Sequence, residues 1–306
     1  MFTLNDHLTI GPMVSSRVPD GFKLLPYEHL RLAPLSPTIG AEVHGVSLGD
    51  DFDPAVHAEI HQALLEWKVL FFRDQEINRE QQRLFAERWG GLERHPFYNY
   101  VHPDQDDEAV VRLAKDAETS GVENEWHADL TWHPRPSFGA VLRAVEVPEL
   151  GGDTLWADAG AAYDGLPEAV RDRIDGLAAV NDWQGTFGMA MPPEDVEQLA
   201  KQFPQVEHPI VRVHPETGRR TLFVNPYFTS HIVGLDHAES EDLLRLLYRQ
   251  FTRPEFQCRF HWEEGSVAFW DNRSTQHYAS SDYAPQRRVM DRISIIGDEP
   301  YGIGSV

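Results

Sequence analysis

The chain predicts a mainly β fold with flanking helices, an arrangement that fits a double-stranded β-helix or jelly roll. Short runs of β-branched and aromatic residues are scattered along its whole length, amphipathic segments lie between them, and 306 residues at 41% hydrophobic suffice for one large core. No internal repeat or low-complexity tract interrupts the pattern.

Residues 1–34, with Pro, Gly and Ser but little periodicity, read as an N-terminal extension to a catalytic domain over 35–306. Val56, Ile60, Ala63 and Leu64 space a helix over 53–66, which runs into the apolar strand Val69-Leu70-Phe71-Phe72. A second amphipathic helix covers 79–89, closed by Gly90-Gly91. The polar stretch 102–125 is a lid in expectation, and a strand carrying Trp126-His127-Ala128-Asp129 follows it. Gly151-Gly152 turns the chain into Thr154-Leu155-Trp156, residues 158–177 read as a helical insert, and 181–208 as an irregular crossing over the site. Leu243, Leu244, Leu247 and Phe251 share one face of a helix over 238–251. Runs 256–260 and 266–270, joined through Glu263-Glu264-Gly265, read as a hairpin, and 288–295 as the last strand.

Chemistry enters with His127, Asp129 and the distant His277. Side chains two apart on an extended strand point to one side, so His127 and Asp129 can reach a single metal ion, with His277 arriving from elsewhere. Two histidines and a carboxylate hold Fe(II) on one face and leave the other positions for a chelating co-substrate and O2. Alone, an H-x-D string is weak, because a chain with 15 histidines and 49 acids contains such pairs by chance. On period two, Arg288 and Arg292 share a strand face. That face either points into a barrel that also holds the metal, where a guanidinium needs an anionic partner, or pairs with acids on an exposed strand.

The strings WHADLTW, GGDTLWAD, WDNRSTQHYA and DYAPQRRVMDR resemble those of the taurine dioxygenase family, Fe(II)- and 2-oxoglutarate-dependent oxygenases, in order from about Leu35 to Tyr301. The resemblance implies that His127, Asp129 and His277 bind iron and that Arg288 and Thr154 hold 2-oxoglutarate. It also implies that His95 and Tyr98 of the HPFY string, Phe187, Phe228 and Arg292 face a substrate sulfonate. Glu123 stands near the place of a family asparagine, where its carboxylate would pair with a substrate ammonium. Trp132, where relatives place other apolar residues, would reshape the pocket. The implied reaction hydroxylates the carbon next to sulfur in taurine or a related sulfonate, releasing sulfite and an aldehyde with succinate and CO2. An alkylsulfate or other small-acid dioxygenase is the alternative. The family also suggests a homo-oligomer.

A formal net charge of −22 argues against nucleic acid and anionic membranes as partners, since binding them needs clustered cations. Without a long apolar run or a secretory start, the expected location is the cytoplasm. A zinc hydrolase with the same ligands is disfavoured, for there is no H-E-x-x-H and no general base beside them. One cysteine, Cys258, precludes an intrachain disulfide and reads as a strand position. His133, His208, His214 and His261 have no ligand partner at recognisable spacing and read as surface or satisfied core residues.

Overall fold

The structure, a computed structural model, describes residues 15–51, 53–97, 109–118 and 124–304. Its centre is a seven-stranded sheet in the order β1-β2-β3-β13-β5-β15-β4. The strands are β1 Arg31–Pro34, β2 Ala41–His44, β3 Val69–Phe72, β4 Val111–Lys115, β5 Gly139–Glu146, β13 Val267–Asp271 and β15 Arg288–Ile295. Strand parity divides the core. Leu70, Phe72, Val267, Phe269, Ile293 and Ile295 join one cluster, which packs on helices α1, Pro54–Trp67, and α2, Arg79–Glu87. Their neighbours Val69, Phe71, Ala268, Trp270 and Met290 join another on the opposite face. A strand buried on both sides reads as an unbroken apolar run, as Val69-Leu70-Phe71-Phe72 does.

Both helices end as their sequences direct. Pro54 follows the N-cap Asp53, whose carboxylate accepts from Ala55 N, and α2 opens with an Asn78/Gln81 capping box. Lys68 ends α1 in the left-handed region at φ 63°. Its ammonium is buried on the carbonyls of Arg17 and Thr38, at 2.6 and 2.7 Å, and on Asp158 at 3.2 Å. Burial lowers its pKa to about 8.

A second sheet, β12-β6-β14, faces the first across the Phe71, Trp156 and Trp270 cluster, with ring centroids 5.2 and 5.8 Å apart. It consists of β6 Thr154–Asp158, β12 Gln257–Phe260 and β14 Thr275–Ala279. The expected hairpin between 256–260 and 266–270 does not form. β12 pairs with β6, while β13 pairs with β3 and β5. The connection through Glu263–Gly265 crosses between sheets, because both apolar faces of β13 find cover only in the larger one.

The insert at 158–177 breaks at Gly165 and Pro167 into α3, Ala159–Asp164, and α4, Glu168–Ile174. Residues 181–208 hold a short 3-10 turn, Phe187–Ala190, then α5, Pro193–Gln202. The long helix α6, His237–Phe251, buries Leu243, Leu244, Leu247 and Phe251 as its periodicity requires. Two small sheets complete the chain. One orders β11 Thr229–Ile232, β7 Ala178–Asn181 and β8 Val206–Pro209; the other pairs β10 Arg220–Leu222 with β9 Val211–Val213. The stretch expected as a lid contains β4, an edge strand paired with β15. No helix among the described residues is long and apolar enough to cross a membrane.

Candidate metal centre and its surroundings

His127 and His277 are cross-strand neighbours, linked by reciprocal backbone hydrogen bonds of 3.1 and 2.8 Å. Only His127 has strand character there. Asp129 already begins a turn, so the expected strand through the H-x-D string is replaced by a single bridge. The turn is held by Asn272, whose Oδ1 accepts from Asp129 N at 2.8 Å and whose Nδ2 donates to the carbonyls of Asp129 and Ser137 at 3.0 and 3.1 Å. Leu130, at φ 52°, sits in the left-handed region that an L side chain occupies only when its surroundings compel it.

Three potential ligand atoms converge within 4.8 Å of one another. His127 Nε2 and His277 Nε2 lie 3.8 and 3.7 Å from Asp129 Oδ1. His127 Nδ1 lies 2.8 Å from the carbonyl of Glu125, which fixes a tautomer with the proton there and the lone pair on Nε2. His277 is pushed well below the usual histidine range, first by burial and then by His127 beside it, so its imidazole is neutral. Burial alone would raise the Asp129 pKa, but the Arg292 guanidinium beside it outweighs burial and keeps the carboxylate ionised. Two neutral imidazoles and one carboxylate, all buried, match the donor set for Fe(II).

β15 places both arginines on the inward face with Met290, while Asp291 on the other face binds Arg79, Arg112 and Arg143. Arg288 is buried. Its Nε donates to Gly152 O at 3.1 Å, and an Nη lies 3.5 Å from Thr154 Oγ1. A Cβ on Gly152, which has φ 68°, would come within 3.1 Å of the Arg288 side chain, so the glycine permits this approach. Arg292 pairs with Asp129 through one Nη, and its buried Nε has no hydrogen bond.

An aromatic wall stands beyond. His95 lies 5.1 Å from Phe187, which stacks on Phe228 at 6.0 Å. Trp132 is buried behind them, parallel to Phe97 at 4.8 Å, and so backs the wall. Tyr98 and Glu123 fall outside the described residues. Cys258 is buried on β12, where desolvation pushes its thiol up to about 12. Two hollows elsewhere, about 10 Å³ beside Lys68 and an open cleft of about 600 Å³ along Gly176 and Tyr301, contain none of the three ligand residues.

The sequence of the Taurine catabolism dioxygenase TauD, TfdA family matches residues 31–294. The chain belongs to this family. It is 38% identical to an alkylsulfatase of Acinetobacter baylyi over 285 residues, 90% of this chain and 88% of that one. It is also 38% identical to an alpha-ketoglutarate-dependent sulfate ester dioxygenase of Pseudomonas putida over 282 residues, 90% of this chain and 92% of that one. Among solved structures, a taurine dioxygenase from Burkholderia xenovorans superposes with a TM-score of 0.78 at 39% identity, covering 91% of this chain and 95% of that one. The protein is therefore an alpha-ketoglutarate-dependent dioxygenase, and such enzymes use Fe(II), 2-oxoglutarate and O2.

Around the centre of this dioxygenase also lie residues that sequence reasoning passed over. Asn272 lies within the WDNRSTQHYA string and could have been suspected from that position. Tyr227, whose ring is 5.2 Å from that of His127, had as its only signal its place beside Phe228. Glu93 had none. Its carboxyl accepts from Ser137 Oγ at 2.5 Å, and burial pushes its pKa up to about 7, with Asp129 adding to the rise and Arg292 opposing it.

Proposed function

We propose that His127, Asp129 and His277 hold Fe(II), that Arg288 and Thr154 anchor 2-oxoglutarate, and that Arg292 binds a sulfur oxyanion at the end of a small substrate. The observation that carries this is the level at which each group lies on β6 and β14. His277 pairs with Trp156, and Thr154 pairs with Ala279. Two residue steps along a strand are about 6.6 Å, the reach of a five-carbon diacid whose first carboxylate and keto oxygen are at the metal. A buried guanidinium beside a threonine hydroxyl suits its far carboxylate.

Bound Fe(II), with 2-oxoglutarate and O2, supplies oxidation of a C–H bond, one oxygen atom entering the substrate and the other succinate as CO2 leaves. The protein's share is orientation and dryness. Arg292 aims the oxyanion, and its unpartnered Nε is a donor that such a group would satisfy. His95, with Tyr98 in the same reading, adds polar contacts, while Phe187 and Phe228 enclose the carbon chain. Glu123 would pair with the ammonium of taurine. Hydroxylation of the carbon next to sulfur gives an unstable hydroxysulfonate, whose C–S bond breaks to release sulfite and an aldehyde.

The alkyl sulfate reading is favoured by the two relatives of 38% identity. In that case the hydroxylated carbon bears a sulfate ester, and its C–O bond breaks to release sulfate. The proposal extends to a double-stranded β-helix built from the two facing sheets, to an N-terminal extension, 1–34, whose last four residues supply β1, and to a catalytic domain over 35–306. It also extends to a cytoplasmic homo-oligomer without nucleic-acid or membrane partners, in keeping with the acidic charge.

The test is turnover of taurine, a short alkanesulfonate and an alkyl sulfate with Fe(II), 2-oxoglutarate and air. Sulfite equal to succinate establishes sulfonate oxidation, and sulfate equal to succinate establishes the ester reading. Absence of both refutes the proposal.

A further inference from the structure

The aromatic wall does not stop at Phe228. Tyr227 stands edge-on to Phe228 at 4.8 Å and against His127 at 5.2 Å, so a row of rings continues from Phe187 to the metal centre. Phe228 is buried, whereas Tyr227 is only half-buried.

The position of this ring relative to the metal centre is built in. Asn225 Oδ1 accepts from Phe228 N at 2.9 Å, closing the turn that carries both rings, and Asn225 Nδ2 donates to Thr131 Oγ1 at 3.0 Å. Thr131 follows Asp129 by two residues, and both it and Asn225 are buried. The turn is tied a second time, by Thr229, whose hydroxyl accepts from Asn225 N at 3.0 Å and donates to Asn181 Oδ1 at 2.9 Å. Buried, satisfied hydrogen bonds of this kind leave a wall little freedom to retreat.

We propose that Tyr227 determines specificity at the reacting carbon, admitting an unbranched CH2 next to the sulfur oxyanion and excluding a carbon with a further alkyl branch. The inference rests on the functional reading above. In that reading Phe187 and Phe228 enclose the carbon chain, and Tyr227, the ring of the row that stands against His127, would border the carbon nearest the metal. One extra methyl group pressed on a rigid wall costs about 10- to 200-fold in kcat/KM.

The experiment compares butane-1-sulfonate with butane-2-sulfonate, and 1-butyl with 2-butyl sulfate, in wild type, Tyr227→Phe and Tyr227→Ala, with Co(II) affinity measured on each protein. Wild type and Tyr227→Phe are expected to prefer the linear member of the productive pair. Tyr227→Ala should reduce that preference about tenfold, mostly by gain on the branched member, with Co(II) affinity unchanged. An unchanged preference in Tyr227→Ala overturns the inference alone. So does a fall in Co(II) affinity that parallels the fall in turnover, since the ring would then merely support His127. If wild type oxidises none of the four compounds, this inference fails, while the functional reading is decided separately by taurine in the panel above.

Discussion

Arg288 and Arg292 share a strand face yet face different tasks. Arg288 is committed to Gly152 O and the Thr154 hydroxyl, while Arg292 meets Asp129 and keeps an unused Nε. Arg292→Ala is expected to raise KM for the sulfur oxyanion at least tenfold with 2-oxoglutarate affinity nearly unchanged, and Arg288→Ala the reverse; titration of each ligand separately decides it. Glu93 yields a prediction about pH. Its folded pKa of about 7 lies above its ordinary value of 4.5, so its contribution to stability is full below about 4.5 and is lost as pH rises through 7. Glu93→Gln removes that titration. In denaturant unfolding of the metal-free protein, the variant should gain on wild type by roughly 2–3 kcal/mol between pH 4.5 and pH 8. An equal difference at both values would mean that Glu93 does not titrate there.

The turn from β13 to β14 organises the centre. It carries Asn272 on one side and leads directly into His277 on the other, so it positions the His277 imidazole and the backbone of Asp129 together. Its root is Asp271, buried against Arg273 and His214 at 2.8 and 2.9 Å. Asn272→Ala should weaken Co(II) binding about 10- to 100-fold, the usual effect of losing a group that orients a ligand. Asn272→Asp, which retains the acceptor and loses both donors, should fall between Ala and wild type. Metal affinity equal to wild type in both variants would show that Leu130 and its packing hold the turn without Asn272. Helix α2 is tied to the same region, because Gln82 donates to the carbonyls of Val141 and Asp291 at 3.1 and 2.9 Å and so fixes the helix to β5 and β15.

Across the molecule, the site lies where the two sheets face each other, with one sheet supplying the arginines and the other His277 and Thr154. Binding of metal and 2-oxoglutarate should therefore join the sheets and raise thermal stability. At 100 times Kd the gain is about 2.7 kcal/mol per ligand, read as a Tm several degrees higher with Co(II) and higher again with 2-oxoglutarate. Chelation should reverse both increments, and a Tm indifferent to metal would contradict a site between the sheets. The charge of −22 adds a field that opposes every anionic ligand. Arg288, Arg292 and the metal must oppose it locally, as short-range charge in a buried site can.

Much of this was legible in the residues. The strand Val69–Phe72 follows from its short unbroken apolar run, the helix His237–Phe251 from its period, and the strand Arg288–Ile295 from β-forming residues in partial alternation, because these are local properties that each segment records in its own side chains. The ligand types and the pair of arginines were visible as strings. Sheet membership was not. The 257–260 and 267–271 segments adjoin in sequence and look like a hairpin, but each has a better partner far along the chain, and pairing is decided by which apolar faces meet. Nor could the strings show that Asp129 sits in a turn held by Asn272, that Tyr227 lies against His127, or that Glu93 is half-buried near Arg292. Those are contacts between segments, and they form only once the sheets close around the site.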